Sequence, residues 1–236
     1  MVRTSRYILK DLVTLNRQVI SCDRCPRLVQ HRELTANRRV PRFRDWEYWG
    51  KPLPGFGDPG AKLLIVGLAP AAHGGNRTGR MFTGDGSGEW LIRALFQTGF
   101  ANQEASMSKD DGLRLSDAYI TAVVRCVPPK NKPLTSELVN CSQYLRKEIS
   151  LLQNVKVVLT LGRIAFDAYL NNLEEKVQPR PIFKHAGFYQ IDSVKRLLVT
   201  SYHPSRQNTQ TKRLLWDSWI SLFERIRRIT GNQDSS

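Results

Sequence analysis

Apolar positions along this chain follow two periods. Residues 63–66 (LLIV), 118–124 (AYITAVV), 155–161 (VKVVLTL) and 197–201 (LLVTS) are short, continuous apolar runs rich in branched side chains, as buried strands are. Elsewhere apolar residues recur every three or four positions. Ile8, Leu12, Leu15 and Val19 form one such set, and Trp90, Leu91, Ala94 and Leu95 another. Leu138, Cys141, Leu145, Ile149 and Leu152 form a third, and Leu215, Trp219, Leu222, Ile226 and Ile229 a fourth. Each set puts an apolar stripe on one face of a helix. Strands alternating with helices predict an α/β fold, with a parallel sheet covered on both faces.

In such sheets ligands bind beyond the carboxyl ends of the strands. That rule selects the loops Gly67–Gly88, Arg125–Pro133, Gly162–Arg163 and Tyr202–Asn208. They hold His73, Asn76, Asp85, Asn131, His203 and Asn208. The first loop is rich in glycine, carries one carboxylate (Asp85) and runs into a helix. Backbone N–H groups and a helix N-terminus there can face an anion or a polar ligand. The loop fits neither GxxxxGK[ST] nor GxGxxG, so a nucleotide-phosphate reading is weak. Asp85 also reads as the N-cap of the helix it precedes. Gly99–Leu113 reads as a long exposed polar connection, and Gly231–Ser236 as a disordered tail.

Charge narrows the partners. The 236 residues contain 36 Lys+Arg against 21 Asp+Glu, a formal net charge of +15. This excess favours a polyanion, either nucleic acid or an anionic surface. No segment approaches the roughly 20 apolar residues of a membrane span. The N-terminus lacks a continuous apolar signal region, which leads us to expect an intracellular protein, in cytoplasm or nucleoid. Arg38–Trp49 interleaves Arg38, Arg39, Arg42 and Arg44 with Phe43, Trp46, Tyr48 and Trp49. Such a stretch suits base stacking and phosphate pairing, or else a loop whose aromatics cover the core beneath solvated arginines.

Four cysteines remain. Cys22 and Cys25 form a C-x-x-C pair before Pro26, whereas Cys126 and Cys141 lie about a hundred residues on. A set of four thiolates suits structural zinc or a [4Fe–4S] cluster. The last two also read as buried apolar residues, since free cysteine is commonly buried.

Several motifs occur in order: CDRCP at 22–26, PGFGDP at 54–59, GLAPAAHGGNRTGRMFTGD at 67–85, VRCVPPKNKP at 124–133, LGRIA at 161–165 and SYHPSRQNTQT at 201–211. Together they resemble the uracil-DNA glycosylase superfamily, most closely family 5, the iron–sulfur "B" type of archaea and thermophilic bacteria. The resemblance implies one three-layer α/β/α domain over residues 1–230, around a four-stranded parallel sheet. Residues 1–61 would form a cluster-binding segment packed on it. A [4Fe–4S] cluster would sit on Cys22, Cys25, Cys126 and Cys141. The implied activity is DNA repair: a flipped uracil, with hypoxanthine and xanthine beside it, is cut from DNA by hydrolysis of its N-glycosidic bond. A monomer would act, away from membranes.

The resemblance also implies roles. Phe82 would stack on the base. Backbone groups at Gly67, Ala69 and Ala71, with the Asn131 amide, would read its edge. His203 would hydrogen-bond O2 of the departing base, and Asp85 would orient water or balance charge on the sugar. Arg206, Asn208 and Lys212, with Arg213 nearby, would contact DNA. In one respect the chain departs from the pattern. Leu68 and Ala69 stand where relatives carry an acid or amide that positions the attacking water.

Overall fold

A computed structural model describes residues 5–231. In chain order its elements are α1 (Ser5–Ile20), α2 (Pro26–Arg38), β1 (Phe56–Gly57), β2 (Leu63–Gly67), α3 (Gly75–Thr78), α4 (Gly86–Gln97), β3 (Ala118–Ala122), α5 (Thr135–Leu151), β4 (Val157–Leu161), α6 (Arg163–Asn171), β5 (Gly187–Ile191), β6 (Arg196–Ser201), α7 (Arg206–Gln210) and α8 (Trp216–Gly231).

The four expected strands are β2, β3, β4 and β6. They run parallel in the order β3-β2-β4-β6, with Leu64 opposite both Tyr119 and Val158, and Val158 opposite Leu198. The sheet itself has six strands rather than four. The two-residue β1 pairs antiparallel with β3, and β5 pairs antiparallel with β6. Both lie at the edges. β1 is half-buried, and β5 buries Ile191 but leaves Phe188, Tyr189 and Gln190 partly or fully exposed, so neither shows the continuous apolar run that marks a central strand.

Alternation along the strands feeds two cores. Leu64, Val66, Tyr119, Val158 and Leu198 face α1, α5 and α6, and pack with Leu12, Leu15, Val19, Leu145 and Phe166. Leu63, Ile65, Ile120, Leu159 and Val199 face α4 and α8, and pack with Leu91, Leu95, Trp219 and Phe223. Helices therefore cover both faces, as the α/β reading requires. Every residue of the Ile8–Val19 stripe is buried. In the last stripe Leu215 is exposed and precedes the helix, which starts at Trp216.

Four helices, α2, α3, α6 and α7, had no sequence signal, and α3 and α7 are only four and five residues long. Helix α2 buries only Leu28 and Arg32, too little to make a stripe, and α6 spans nine residues. The 99–113 connection is not simply an exposed polar loop. Phe100, Ala101, Ser106 and Leu113 are buried, and Asp111 pairs at 2.8 Å with the buried Arg80. Asn102, Glu104, Lys109 and Asp110 stay exposed as expected, while Arg80, Ser106 and Asp111 tie the segment to the core. Helix α8 continues through Gly231, and the rest of the expected tail, 232–236, lies outside the described residues. No described helix is long and apolar enough to cross a membrane.

Candidate active site

The chain steps from β2 sideways to β3, then crosses back to place β4 on the other side of β2. Loops leaving β2 and β4 diverge at that switch, which opens a crevice at the strand ends. A cavity of about 550 Å³ lies there. It is lined by Leu68–Ala71 after β2, by Ala122, Lys130 and Asn131 after β3, by Leu161–Ala165 after β4, and by His203, Ser205 and Gln207 after β6. Met81, Phe82, Asp85 and Ser87 close it from the long loop. All four loops selected from the sequence contribute.

Phe82 is a non-glycine residue at φ +51°. Its ring lies against Gly67, where a Cβ would approach Cε2 and Cζ at 2.9 Å. Glycine at the end of β2 is what lets the ring lie on the backbone. Gly67 thus backs Phe82 and is not itself among the lining residues, whereas Ala69 and Ala71 are. On its other side Phe82 stacks with His203, with ring centres 5.9 Å apart and planes at 28°. Burial pushes the His203 imidazole down to about 4, so it is neutral at pH 7.

Asp85 is the N-cap of α4. Its Oδ1 accepts from the Gly88 N–H at 2.9 Å. Its Oδ2 fills the space where a Cβ on Gly74 would stand, at 2.0 Å. Burial pushes this carboxyl up, while the N–H groups of Gly88 and Ser87 pull it back. Capping and lining the cavity are therefore properties of one side chain. Asn131 follows Lys130 in a second left-handed turn residue (φ +57° and +53°), a conformation asparagine tolerates. It is exposed at the cavity mouth, and its amide makes no hydrogen bond to the described residues.

The remaining candidates separate. Arg206 is exposed at the start of α7, beside Gly86 at the head of α4. Lys212 is exposed as well, and Arg213 lies 4.3 Å over the Tyr202 ring. The Asn208 amide faces inward, and its Nδ2 donates to the His203 carbonyl at 2.8 Å. It fastens the His203 loop. His73 bonds the Tyr48 hydroxyl at 3.0 Å, and Asn76 is fully buried, so neither lines the cavity. The Arg38–Trp49 stretch does something that neither sequence reading anticipated. Phe43 and Trp46 clasp the Arg77 guanidinium at 3.8 and 4.1 Å, a pair of cation–π contacts. Lys130, Arg163 and Gln207 at the cavity had no sequence signal, because surface polar residues are common everywhere.

The cysteines gather away from the cavity. Cys22 follows α1, Cys25 caps α2, Cys126 follows β3 and Cys141 lies on α5. All four belong to one core, in which Cys126 and Cys141 are buried. Burial pushes Cys141 up to about 12 and raises Cys126, and the other cysteines add to both shifts. The buried Arg32 donates from Nη1 to Cys126 Sγ at 3.2 Å, and Asn140 donates to Cys25 Sγ at 3.5 Å. Among the described residues no three His, Cys, Asp or Glu side chains converge as one metal ion requires. A four-iron core is larger than one ion and holds its thiolates further apart. The mutual influence of the thiols on one another's pKa, with a buried cation beside Cys126, fits that larger anionic group.

Comparison with known sequences supplies the context. Residues 54–223 match the family described as the uracil DNA glycosylase superfamily. A type-5 uracil-DNA glycosylase of Thermus thermophilus is 46% identical over 89% of this chain and 94% of its own length. Another, from Pyrobaculum aerophilum, is 42% identical over 98% and 97%. A type-4 uracil-DNA glycosylase of Sulfurisphaera tokodaii is 24% identical over 94% and 86%.

Proposed function

The chain belongs to the uracil DNA glycosylase superfamily, as a type-5 member, and from that premise we propose that it excises uracil, and hypoxanthine beside it, from DNA. The observation that carries this reading is the cavity at the sheet's switch point, where Phe82, Asp85, Asn131 and a neutral His203 face one space.

A base in a duplex must leave the stack to be cut. Two rings with a base sandwiched between them need roughly 7 Å. Phe82 and His203 stand 5.9 Å apart, so the base does not enter between them. It lies beside the imidazole, in the same layer, with Phe82 beneath. That placement puts a ring N–H of His203 in the plane of the base, where a carbonyl oxygen best accepts it. As the C1′–N bond breaks, its electron pair passes to the base, and charge develops on O2. A fixed neutral donor stabilises that charge without first losing a proton. The sugar becomes cationic, water adds to C1′ as hydroxide, and its proton neutralises the departed base anion. Asp85 faces this centre as an anion, balancing the cation or orienting the water. Leu68 and Ala69 supply no such group. The free Asn131 amide, with one donor and one acceptor face, reads the base edge. Ala69 leaves space where an acidic side chain would restrict the base, which favours the wider range.

Arg206 and Lys212 are exposed on the segment that follows His203 and would contact phosphates, and the +15 charge supports a phosphate partner. Asn208 serves by holding the loop of His203. The proposed active form is a monomer with one domain over residues 1–230, whose N-terminal segment carries the cluster ligands Cys22 and Cys25. Cys22, Cys25, Cys126 and Cys141 would hold a [4Fe–4S] cluster. Bound there, it supplies a cross-link between the α1–α2 junction, the loop after β3 and α5, with no part in bond breaking.

The test is direct. The protein is incubated with duplexes that carry one uracil, hypoxanthine or xanthine, and abasic sites are then cleaved with alkali. Cleavage at uracil and hypoxanthine is expected. An intact uracil strand overturns the glycosylase reading, and cutting at uracil alone overturns the wider range.

A further inference from the structure

One side chain touches both the cysteine set and the loop that closes the cavity. Arg32, on α2, is buried. Its Nη1 donates to Cys126 Sγ and to the Cys22 carbonyl, each at 3.2 Å. Its Nε is buried without a protein partner, and Glu33 stands 3.7 Å from Nη2 at the surface. A buried guanidinium is costly unless an anion faces it. A neutral Cys126 thiol is a weak acceptor, whereas a thiolate of an anionic iron–sulfur centre is a fitting one.

The backbone of the same residue points the other way along the structure. The Arg32 carbonyl accepts from Asn76 Nδ2 at 3.1 Å. Asn76 is fully buried on α3, and its N–H donates to the Ala71 carbonyl at 3.0 Å. Its neighbour Arg77 donates to the carbonyls of His73 and Gly84 at 2.7 and 3.1 Å. Gly84 precedes Asp85, whose carboxylate rests on Gly74. Hydrogen bonds joined by short stretches of backbone thus lead from the Cys126 sulfur to Ala71 on the cavity wall, and to Gly84, which is peptide-bonded to Asp85.

We propose that Arg32 is a positioning residue that couples the cysteine-bound centre to the base pocket. Its guanidinium holds the Cys126 sulfur, and its carbonyl holds Asn76 and with it the wall that carries Ala71 and Asp85. The inference rests on the [4Fe–4S] reading above and adds to it a reason why the centre matters to excision.

Iron and sulfide content of the anaerobically purified parent comes first. Zinc, or no metal, there overturns the cluster reading and this inference together. In iron-loaded protein, Arg32→Gln should alter the visible and electron paramagnetic resonance spectra. It should also release iron to a chelator roughly 10-fold faster or more, as when a group supporting a metal ligand is lost. Arg32→Lys keeps the charge but loses the rigid planar fork that aims the donors, and should fall between. Asn76→Ser cuts the link on the pocket side alone. Its spectra should match the parent while single-turnover uracil excision falls. Parental spectra and iron release in Arg32→Gln, or a parental excision rate in Asn76→Ser, overturn the coupling while leaving the cluster reading intact. If Arg32→Gln does not accumulate, the other two variants decide in the same way.

Discussion

The rings of Phe82 and His203 lie 5.9 Å apart at 28°, and Phe82 reaches that position because Gly67 has no side chain. Two strand ends, β2 and β6, are joined by this pair above the sheet. It fixes the plane of the imidazole, and burial keeps the imidazole neutral. A neutral ring held in one plane follows from these two facts, and that is what the proposed role of His203 beside a flipped base requires.

His203→Ala removes that donor. Loss of one preorganised donor at developing charge typically costs on the order of 10²–10³ in rate. Single-turnover excision of uracil should fall by that factor while affinity for the same duplex changes little. A parental rate in the variant would rule out the role.

The pH profile separates the two catalytic candidates. Burial lowers His203 to about 4, so the imidazole stays neutral over most of the acid range. Burial raises Asp85, so its anion is lost as pH falls through a value above the ordinary carboxylate figure of about 3.9. Single-turnover rate should therefore decline on the acid side with the pKa of Asp85. In Asp85→Asn the rate should be lower and that limb should disappear. Asparagine caps helices as well as aspartate does, so melting should barely move. An unchanged acid limb in Asp85→Asn assigns the titration to another group.

Asn131→Gly deletes the amide and keeps the left-handed backbone, which alanine would strain. The penalty should differ between uracil and hypoxanthine, because the two bases present different edges. An equal slowing of both substrates counts against a base-reading role.

Binding should weaken steeply with salt, with a log–log slope of about 0.9 per phosphate contact. Lys212→Ala should lower that slope by about one contact without changing substrate preference. A titration that is flat between low and moderate salt removes the phosphate-contact picture.

Cys126→Ser takes one thiolate from the proposed centre and places a hydroxyl among apolar neighbours. The variant should bind less iron and melt at a lower temperature, because the cross-link between α1–α2 and α5 is weakened. Parental iron content and melting would show that Cys126 is a buried thiol and nothing more.

Much of this was legible in the chain itself. Continuous apolar runs specify β2, β3, β4 and β6, because a strand buried on both faces tolerates little else. Three- and four-residue spacing specifies α1, α4, α5 and α8, because each lays a wide apolar stripe on the sheet. The rule for strand ends then selects the loops that carry Asp85, Asn131 and His203. Tertiary structure alone decided the rest. Strands β1 and β5 add to the sheet through backbone pairing with β3 and β6, and such pairing leaves no mark in side-chain pattern. Helix α2 turns on one buried arginine, and an arginine in a sequence reads as surface until its partners are known. Whether Asn208 meets solvent or the His203 carbonyl, and whether Phe43 and Trp46 stack on a base or on Arg77, depends on which distant residues come close. Local periodicity holds no information about that, because those contacts join segments that meet only once the sheet has formed.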